Sequence, residues 1–465
     1  MILNPFSISM TIALATFFTL NQSGPVPVAK LPKSPVKEYL EKELYIPAKL
    51  YRIPENNDYT NNESEYSNQR MAKSDNLAVF WAKEFGNVPT DNPDSAKRFK
   101  IDEALKECER FYSYYVNDLK FVKKGNSLTD KYKVLFYVIG GKGGTAFGGG
   151  AENKIGVLWT PASRMNKAPY GALAHELGHS FQYLVHADGA WGFSSPPKGG
   201  KGQPIFEMTS QYMLWQVYPD WITFENYHLV SFMQQTHYAF LHETNQYHSP
   251  YVLEYWSNKH GIDFIGKLWN NAVKGEDAVM TYKRLTSIDQ KVFNDEMFDA
   301  SRRFITWDMK RIENVSKKYA NQHISTLNAV KDGWYQIAAS NCPQNYGYNG
   351  IKLKVPAAGT KVTLNFKGIA GAKGFRAINV DKAGWRYGFL AVKEDGSRVY
   401  GKTFSKSNGK AKFVVPERTR YLWLVVSGAP TAHWEHLSDG KDENDEQWPY
   451  QIKLSGTMLD DSAIK

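Results

Sequence analysis

The apolar residues of this chain change period once, and that change sets the fold class. Between residues 204 and 316 they recur at steps of three and four. Tyr251 to Lys259, Ile262 to Ala272 and Asn294 to Arg311 each read as amphipathic helix, and Pro204 suits the first position of another. The texture changes near Asp332. Beyond it lie short β-like runs at 351–355, 361–366, 389–392, 412–415, 421–426 and 450–454, with Asp395-Gly396 and Asn408-Gly409 as turn signals. That spacing predicts a β-sandwich of jelly-roll type. Ahead of residue 204 the signals are mixed. Leu77 to Trp81 reads as a strand, and Ile101, Leu105, Cys108, Tyr112, Tyr115 and Leu119 mark a helix. Lys131 to Ile139 alternates like a strand and runs into GGKGGTAFGGG, a turn or rim. Ile155 to Trp159 is a further, edge-like strand, and a helix follows from Pro169 to about His186. The predicted class is α+β: a small sheet with one central helix, a helical subdomain, then an all-β sandwich.

At 465 residues the chain is too long for one ordinary domain. The boundaries read as a signal peptide at 1–24, an extended lead-in at 25–75, a first domain at 76–325, the β-sandwich at 326–458 and a tail at 459–465. The signal rests on Phe6 to Leu20, an apolar stretch too short for a membrane span and followed by small and polar residues. Export is therefore expected, with no transmembrane anchor. The formal charge is +10, but the lysines are scattered and the longest basic runs are pairs such as Lys123-Lys124 and Lys317-Lys318. A nucleic-acid partner is not expected from that distribution. A mildly basic surface suits an acidic glycan. Cys108 and Cys342 permit one inter-domain disulfide or two buried thiols.

The residues that carry chemistry are His175-Glu176-Leu177-Gly178-His179. Positions four apart stand on one helical face a turn apart, so both imidazoles can reach one metal ion. Glu176 projects beside them, placed to activate a metal-polarised water. Ala172, Leu173, Leu177, Phe181 and Leu184 give this helix an apolar face for packing. Zinc needs a third protein ligand. His186 lies about two turns beyond His179, Asp188 would need a sharp reversal, and Glu207 opens a new helix after a glycine- and proline-rich loop. Ligand chemistry favours Glu207.

HELGHSFQ followed 28 positions later by Glu207 resembles the enhancin-like gluzincins, zinc peptidases that attack mucin-type glycoproteins. The whole chain also resembles secreted bacterial proteins that join such a domain to a C-terminal β-sandwich, a likeness carried by AGWRYGF, LWLVVSGAP and DEQWPYQIKLSGT. The resemblance implies a zincin-like catalytic domain with His175, His179 and Glu207 as zinc ligands and Glu176 as base. It also implies a protein or glycoprotein substrate, with glycan contact through the C-terminal module. The metzincin pattern is rejected, because Gln182 and Val185 occupy the places of its glycine and third histidine. The aspartate that commonly follows the gluzincin ligand glutamate by four residues is here Gln211, an amide that can still accept from an imidazole N–H but supplies less charge to orient a ligand histidine.

Gly150-Ala151-Glu152-Asn153 partly resembles the element with which zinc aminopeptidases hold a free amine. A transition-state donor is expected from THYAFLHETNQYHSPY, and His248 and Tyr251 are the choices. His433 and His436 with the acidic run Asp439 to Glu446 read as a solvated loop rather than a second metal site. Trp385, Trp423, Trp434 and Trp448 read mostly as core. The expected function is that of a secreted zinc endopeptidase. The alternatives are a surface or carbohydrate-binding protein with a non-catalytic zinc site, and a zinc aminopeptidase.

Overall fold

A computed structural model describes residues 41–141, 144–194 and 204–464. The signal peptide predicted at 1–24, the start of the lead-in and the loop just before Pro204 lie outside these residues. In the first sheet β1 (Met71–Lys73) pairs antiparallel with β2 (Leu77–Trp81). The apolar runs LAVFW of β2 and VLFYVI of β3 (Val134–Ile139) are buried at every position, as expected of strands covered on both faces. They pair in parallel, which requires a crossover, and α1 (Ile101–Asn117) lies within it. β4 (Phe147–Ala151) and β5 (Ile155–Pro161) form a hairpin whose turn residues Glu152 and Asn153 both take positive φ.

The strand order is β1-β2-β3-β5-β4. This corrects the expectation that Ile155–Trp159 forms an edge. β5 is interior, between β3 and β4, and the edge strand comes from the glycine-rich stretch read as a turn or active-site rim. β4 lies tight against α2 (Gly171–Ala187). A Cβ at Gly148 would come 2.0 Å from the Glu176 carbonyl oxygen, so only glycine allows that approach.

The helical part follows: α3 (Pro204–Val217), α4 (Trp221–Phe224), α5 (Tyr227–Gln234), α6 (Tyr251–His260), α7 (Phe264–Asn271), α8 (Ala278–Thr286), α9 (Gln290–Phe304) and α10 (Glu313–Ser316). The strands then resume with β6 (Leu327–Ala329), β7 (Tyr335–Ile337), β8 (Tyr348–Leu353), β9 (Lys361–Gly368), β10 (Trp385–Lys393), β11 (Arg398–Tyr400), β12 (Asn408–Val414), β13 (Thr419–Gly428) and β14 (Tyr450–Ser455). They build two antiparallel sheets, ordered β11-β10-β13-β8 and β12-β9-β14-β7-β6. The protein is α+β.

The four-stranded sheet is buried on both faces. Phe389, Ala391, Leu424 and Val426 point into the sandwich core, while Leu390, Val392, Trp423 and Val425 join the core of the helical part. The Trp423 indole donates to Asn321 Oδ1 at 3.0 Å, and Arg302 Nη1 reaches the Gly401 carbonyl at 2.9 Å. Trp385 and Trp448 are buried in the sandwich core, as expected.

Two segments read as peripheral are packed. In the lead-in Tyr66 and Arg70 are buried, with Arg70 Nη1 donating to the Asn62 carbonyl at 2.8 Å. In the tail Leu459 and Ala463 join the sandwich core. Composition hides such packing, because a few anchoring side chains among polar neighbours suffice for it. Cys108 and Cys342 are free, buried thiols.

Candidate metal centre

α2 carries the motif and α3 crosses it closely. A Cβ on Gly178 would stand 3.0 Å from Ser210 Oγ, so the missing side chain lets the two helices approach. The approach brings Glu207, in the first turn of α3, over the two histidines. His175 Nε2 and His179 Nε2 lie 3.1 Å apart, and Glu207 Oε2 is 3.1 Å from the first and 3.2 Å from the second. These three atoms form a nearly equilateral triangle, and the three side chains are only 12–22% exposed.

The tautomer of His179 follows from Gln182. His179 Nδ1 lies 3.0 Å from Gln182 Oε1, and the amide is anchored by donating to the Phe206 carbonyl at 2.9 Å and to Ser210 Oγ at 3.0 Å. With its oxygen so fixed, Gln182 accepts the Nδ1 proton and aims the other ring nitrogen into the triangle. Two ring nitrogens and a carboxylate oxygen this close need a cation among them, either a proton or a metal ion. Burial opposes charge on His179, but the hydrogen bond and charge of Glu207 outweigh it and raise the imidazole to about 9. Burial also works against the Glu207 charge. The hydrogen bonds from both histidines overcome it and hold the carboxyl far below the usual range. Glu176 is buried beside the triangle. Desolvation raises its carboxyl above the ordinary value, against the pull of His175 and His179.

A cavity of about 750 Å³ opens over His175 and Glu176 and is also lined by Trp221, Phe224, His228 and Tyr247. The expected donors do not line it. Tyr251 is the first residue of α6 and is fully buried against Trp215, Phe232 and Trp307, its hydroxyl without a partner among the described residues. His248 stands behind His228, with their Nδ1 atoms 2.7 Å apart. Tyr247 takes the place instead. Its ring centroid is 6.4 Å from that of His175, and its phenol stands close enough to Glu207 to feel its charge. Burial first, and then the Glu207 charge, push that phenol up to about 12. Tyr247 lies in the stretch singled out by sequence, but the start of α6 decides which tyrosine points inward to the core. His228 had no sequence signal.

The other candidates lie elsewhere. His186 Nδ1 is 2.9 Å from Ser194 Oγ, and the Asp188 carboxylate accepts the Leu128 N–H at 2.8 Å. Glu152 is held by Tyr45 and the Ala48 N–H and does not line the cavity. Gln211 is buried and 3.5 Å from His228 Nε2, so the amide that touches a triad histidine is Gln182 instead.

The acidic loop is not wholly solvated. His436, Asp445 and Glu446 are buried, and His242, His436 and Asp445 form a second cluster. Glu243 Oε2 is 3.1 Å from His436 Nε2, and Asp445 Oδ2 is 3.0 Å from His242 Nε2. His242 Nδ1 accepts the Thr244 N–H at 3.0 Å, so its Nε2 carries the proton that Asp445 receives. That tautomer makes the cluster a proton-linked network rather than a set of ligands. His433 pairs with Asp277 at 2.7 Å.

The fold and site together define an α+β protein with a His-His-Glu candidate metal centre beside a buried glutamate. The chain belongs to the family of unknown function DUF6055, which it matches over residues 36–461. No curated protein matches the sequence. Among solved structures it is similar to the carbohydrate-binding module CBM29-2 in a mutant complexed with cellulohexaose, at 13% identity, 30% of this chain, 77% of that chain and a TM-score of 0.16. It is also similar to BiXyn10A CBM1, at 13% identity, 30% of this chain, 81% of that chain and a TM-score of 0.15. The Gap123 complex of Streptococcus agalactiae matches at 9% identity, 28% of this chain, 38% of that chain and a TM-score of 0.15. Overlaps this slight carry no argument about fold or ligand. Among the described residues no helix is long and apolar enough to cross a membrane.

Proposed function

We propose that this protein is an exported zinc-dependent endopeptidase of gluzincin type, acting on protein or glycoprotein substrates. The observation that carries the reading is the triangle of His175 Nε2, His179 Nε2 and Glu207 Oε2 with edges of 3.1–3.2 Å. Ligands about 2.0–2.1 Å from a tetrahedral zinc stand roughly 3.3–3.4 Å apart, so this donor set fits such an ion with little adjustment. The two nitrogens and one carboxylate also match its preferences, and the cavity over His175 and Glu176 would give a water and a substrate access to such an ion.

Bound there, zinc would supply Lewis acidity toward a water and a peptide carbonyl. The protein's own groups do the rest. Gln182 holds His179 in the ligating tautomer. Glu176, buried and next to the ligands, takes a proton from the attacking water and passes it to the departing amine. Tyr247 offers its hydroxyl proton to the oxyanion that develops on the carbonyl. Among the described residues the outer edge of β4 pairs with no other strand, and it gives an extended substrate a row of backbone partners. Glu152 is held by Tyr45 and the Ala48 N–H and is not among the residues that line the cavity, which favours internal cleavage over capture of a free amine. Export rests on the apolar segment within 1–24, and the C-terminal sandwich provides glycan contact.

Metal content of the purified protein and of H175A and E207A, read beside casein and mucin cleavage by the parent and E176Q, tests this reading. One zinc per chain, lost in both ligand variants, and cleavage lost in a folded E176Q with its zinc intact are the expected results. A folded, metal-replete parent without zinc, or cleavage unchanged in E176Q, would replace the peptidase by a surface-binding protein.

A further inference from the structure

The sheet β12-β9-β14-β7-β6 buries Val362, Leu364, Phe366, Ala411, Phe413 and Ile452, so the alternate residues of those strands face outward. The register sets these outward residues in rows. Lys410, Asn365 and Lys453 stand side by side on β12, β9 and β14. Lys367 sits between Asn408 and Gln451 in the next row, and Lys412, Thr363 and Ser455 form another. Lys361 faces outward at the start of β9, opposite Val414. The outward positions of the three strands thus hold five lysines and no carboxylate. None of the five makes an ion pair among the described residues, and Lys453 Nζ donates only to the Asp332 carbonyl, at 2.7 Å. Lys361, Lys367, Lys410 and Lys412 are exposed.

We infer that this face binds a densely sulfated glycan. Rows about 7 Å apart and strands about 4.8 Å apart place the ammonium groups on a lattice that a closely charged polyanion can span. The residues between the lysines are asparagine, threonine, glutamine and serine, which can exchange hydrogen bonds with hydroxyls and ring oxygens. Lys367 and Lys410 also line a cavity of about 940 Å³ with Trp334, whose indole can cover one sugar face. A single-stranded nucleic acid would call for several aromatic platforms. The outward positions of β9, β12 and β14 contain none. The inference gives a site and a ligand chemistry to the glycan contact proposed above, and it is independent of the peptidase reading because the helical part packs on the other sheet.

The test uses the full chain, as parent and E176Q, with a heparin octasaccharide, a hyaluronan oligosaccharide, cellohexaose, single-stranded DNA and phosphatidylserine vesicles as probes. Both proteins are expected to bind the heparin fragment best, with affinity falling as salt rises. The K367Q/K410Q/K453Q variant, its fold checked by thermal melting, is expected to weaken that binding roughly tenfold or more, and W334A to weaken it with the salt dependence unchanged. Unaltered heparin binding in the triple variant would overturn the inference. So would equal binding of hyaluronan, or tighter binding of DNA or the vesicles. A parent that cleaves nothing yet binds heparin through these lysines would sink the peptidase reading and leave this one standing.

Discussion

Gln182 Oε1 receives the Nδ1 proton of His179 from three residues further along the same helix, at 3.0 Å. The contact decides which ring nitrogen His179 offers to the triangle. In Q182L the ring is free to rotate and to change tautomer, so zinc affinity should fall by roughly 10–100-fold. Competition against a chromogenic chelator reads this directly. Affinity equal to that of the parent would show that Gln182 does not orient the ligand.

Tyr247 and Tyr251 are one helical turn apart in sequence but have opposite environments. Y247F should retain zinc and lose about 10²-fold in kcat with a smaller change in KM. Y251F should keep full activity. It removes a buried hydroxyl that has no partner among the described residues, so its stability should be unchanged or raised by up to about 1 kcal/mol. Steady-state kinetics beside thermal melts separates the two, and an active Y247F would remove the donor role.

Gly148 holds the edge strand β4 against α2. In G148A the added methyl meets the Glu176 carbonyl oxygen, and β4 must move away from α2. The expected cost is about 1–3 kcal/mol of stability, accompanied by a raised KM because the strand edge is displaced. Chemical denaturation with matched kinetics checks both, and an unchanged midpoint would contradict the tight packing.

His436 gives the protein a pH-dependent contact between the sandwich and the helical part. It faces Glu243 and Asp445, with His242 and Glu446 close by and Arg376 Nε on the Asp445 carbonyl. Burial works against its charge, but the Glu243 hydrogen bond and the neighbouring carboxylates raise its pKa above 6.5. That contribution is complete below about 6.5 and fades as pH rises through the folded value. Burial likewise disfavours the Glu243 charge, but the His436 hydrogen bond brings the carboxyl down to about 2. Its contribution is therefore complete above the ordinary 4.5 and lost as pH falls through about 2. The Tm gap between the parent and H436Q should be widest near pH 5.5 and shrink as pH rises above 6.5. A gap that does not vary with pH would show that His436 contributes packing alone.

The sequence by itself determined what local geometry controls. Residues four apart on a helix share a face, so His175 and His179 were bound to converge. The change of apolar period was enough to separate helices from strands and to give the α+β class. The tertiary structure decided what depends on segments meeting from afar. It placed Glu207 at the histidines through the close crossing of α2 and α3, and it gave the orienting contact to Gln182 instead of Gln211. It made β4 rather than β5 the edge, and it turned Tyr251 inward while leaving Tyr247 at the cavity. It also gathered lysines that look scattered along the chain onto one sheet face, because strand register joins residues that sequence keeps dozens of positions apart. Backbone hydrogen-bond periods are written into neighbouring residues. Which surfaces then pack together is settled only by burial over the whole chain.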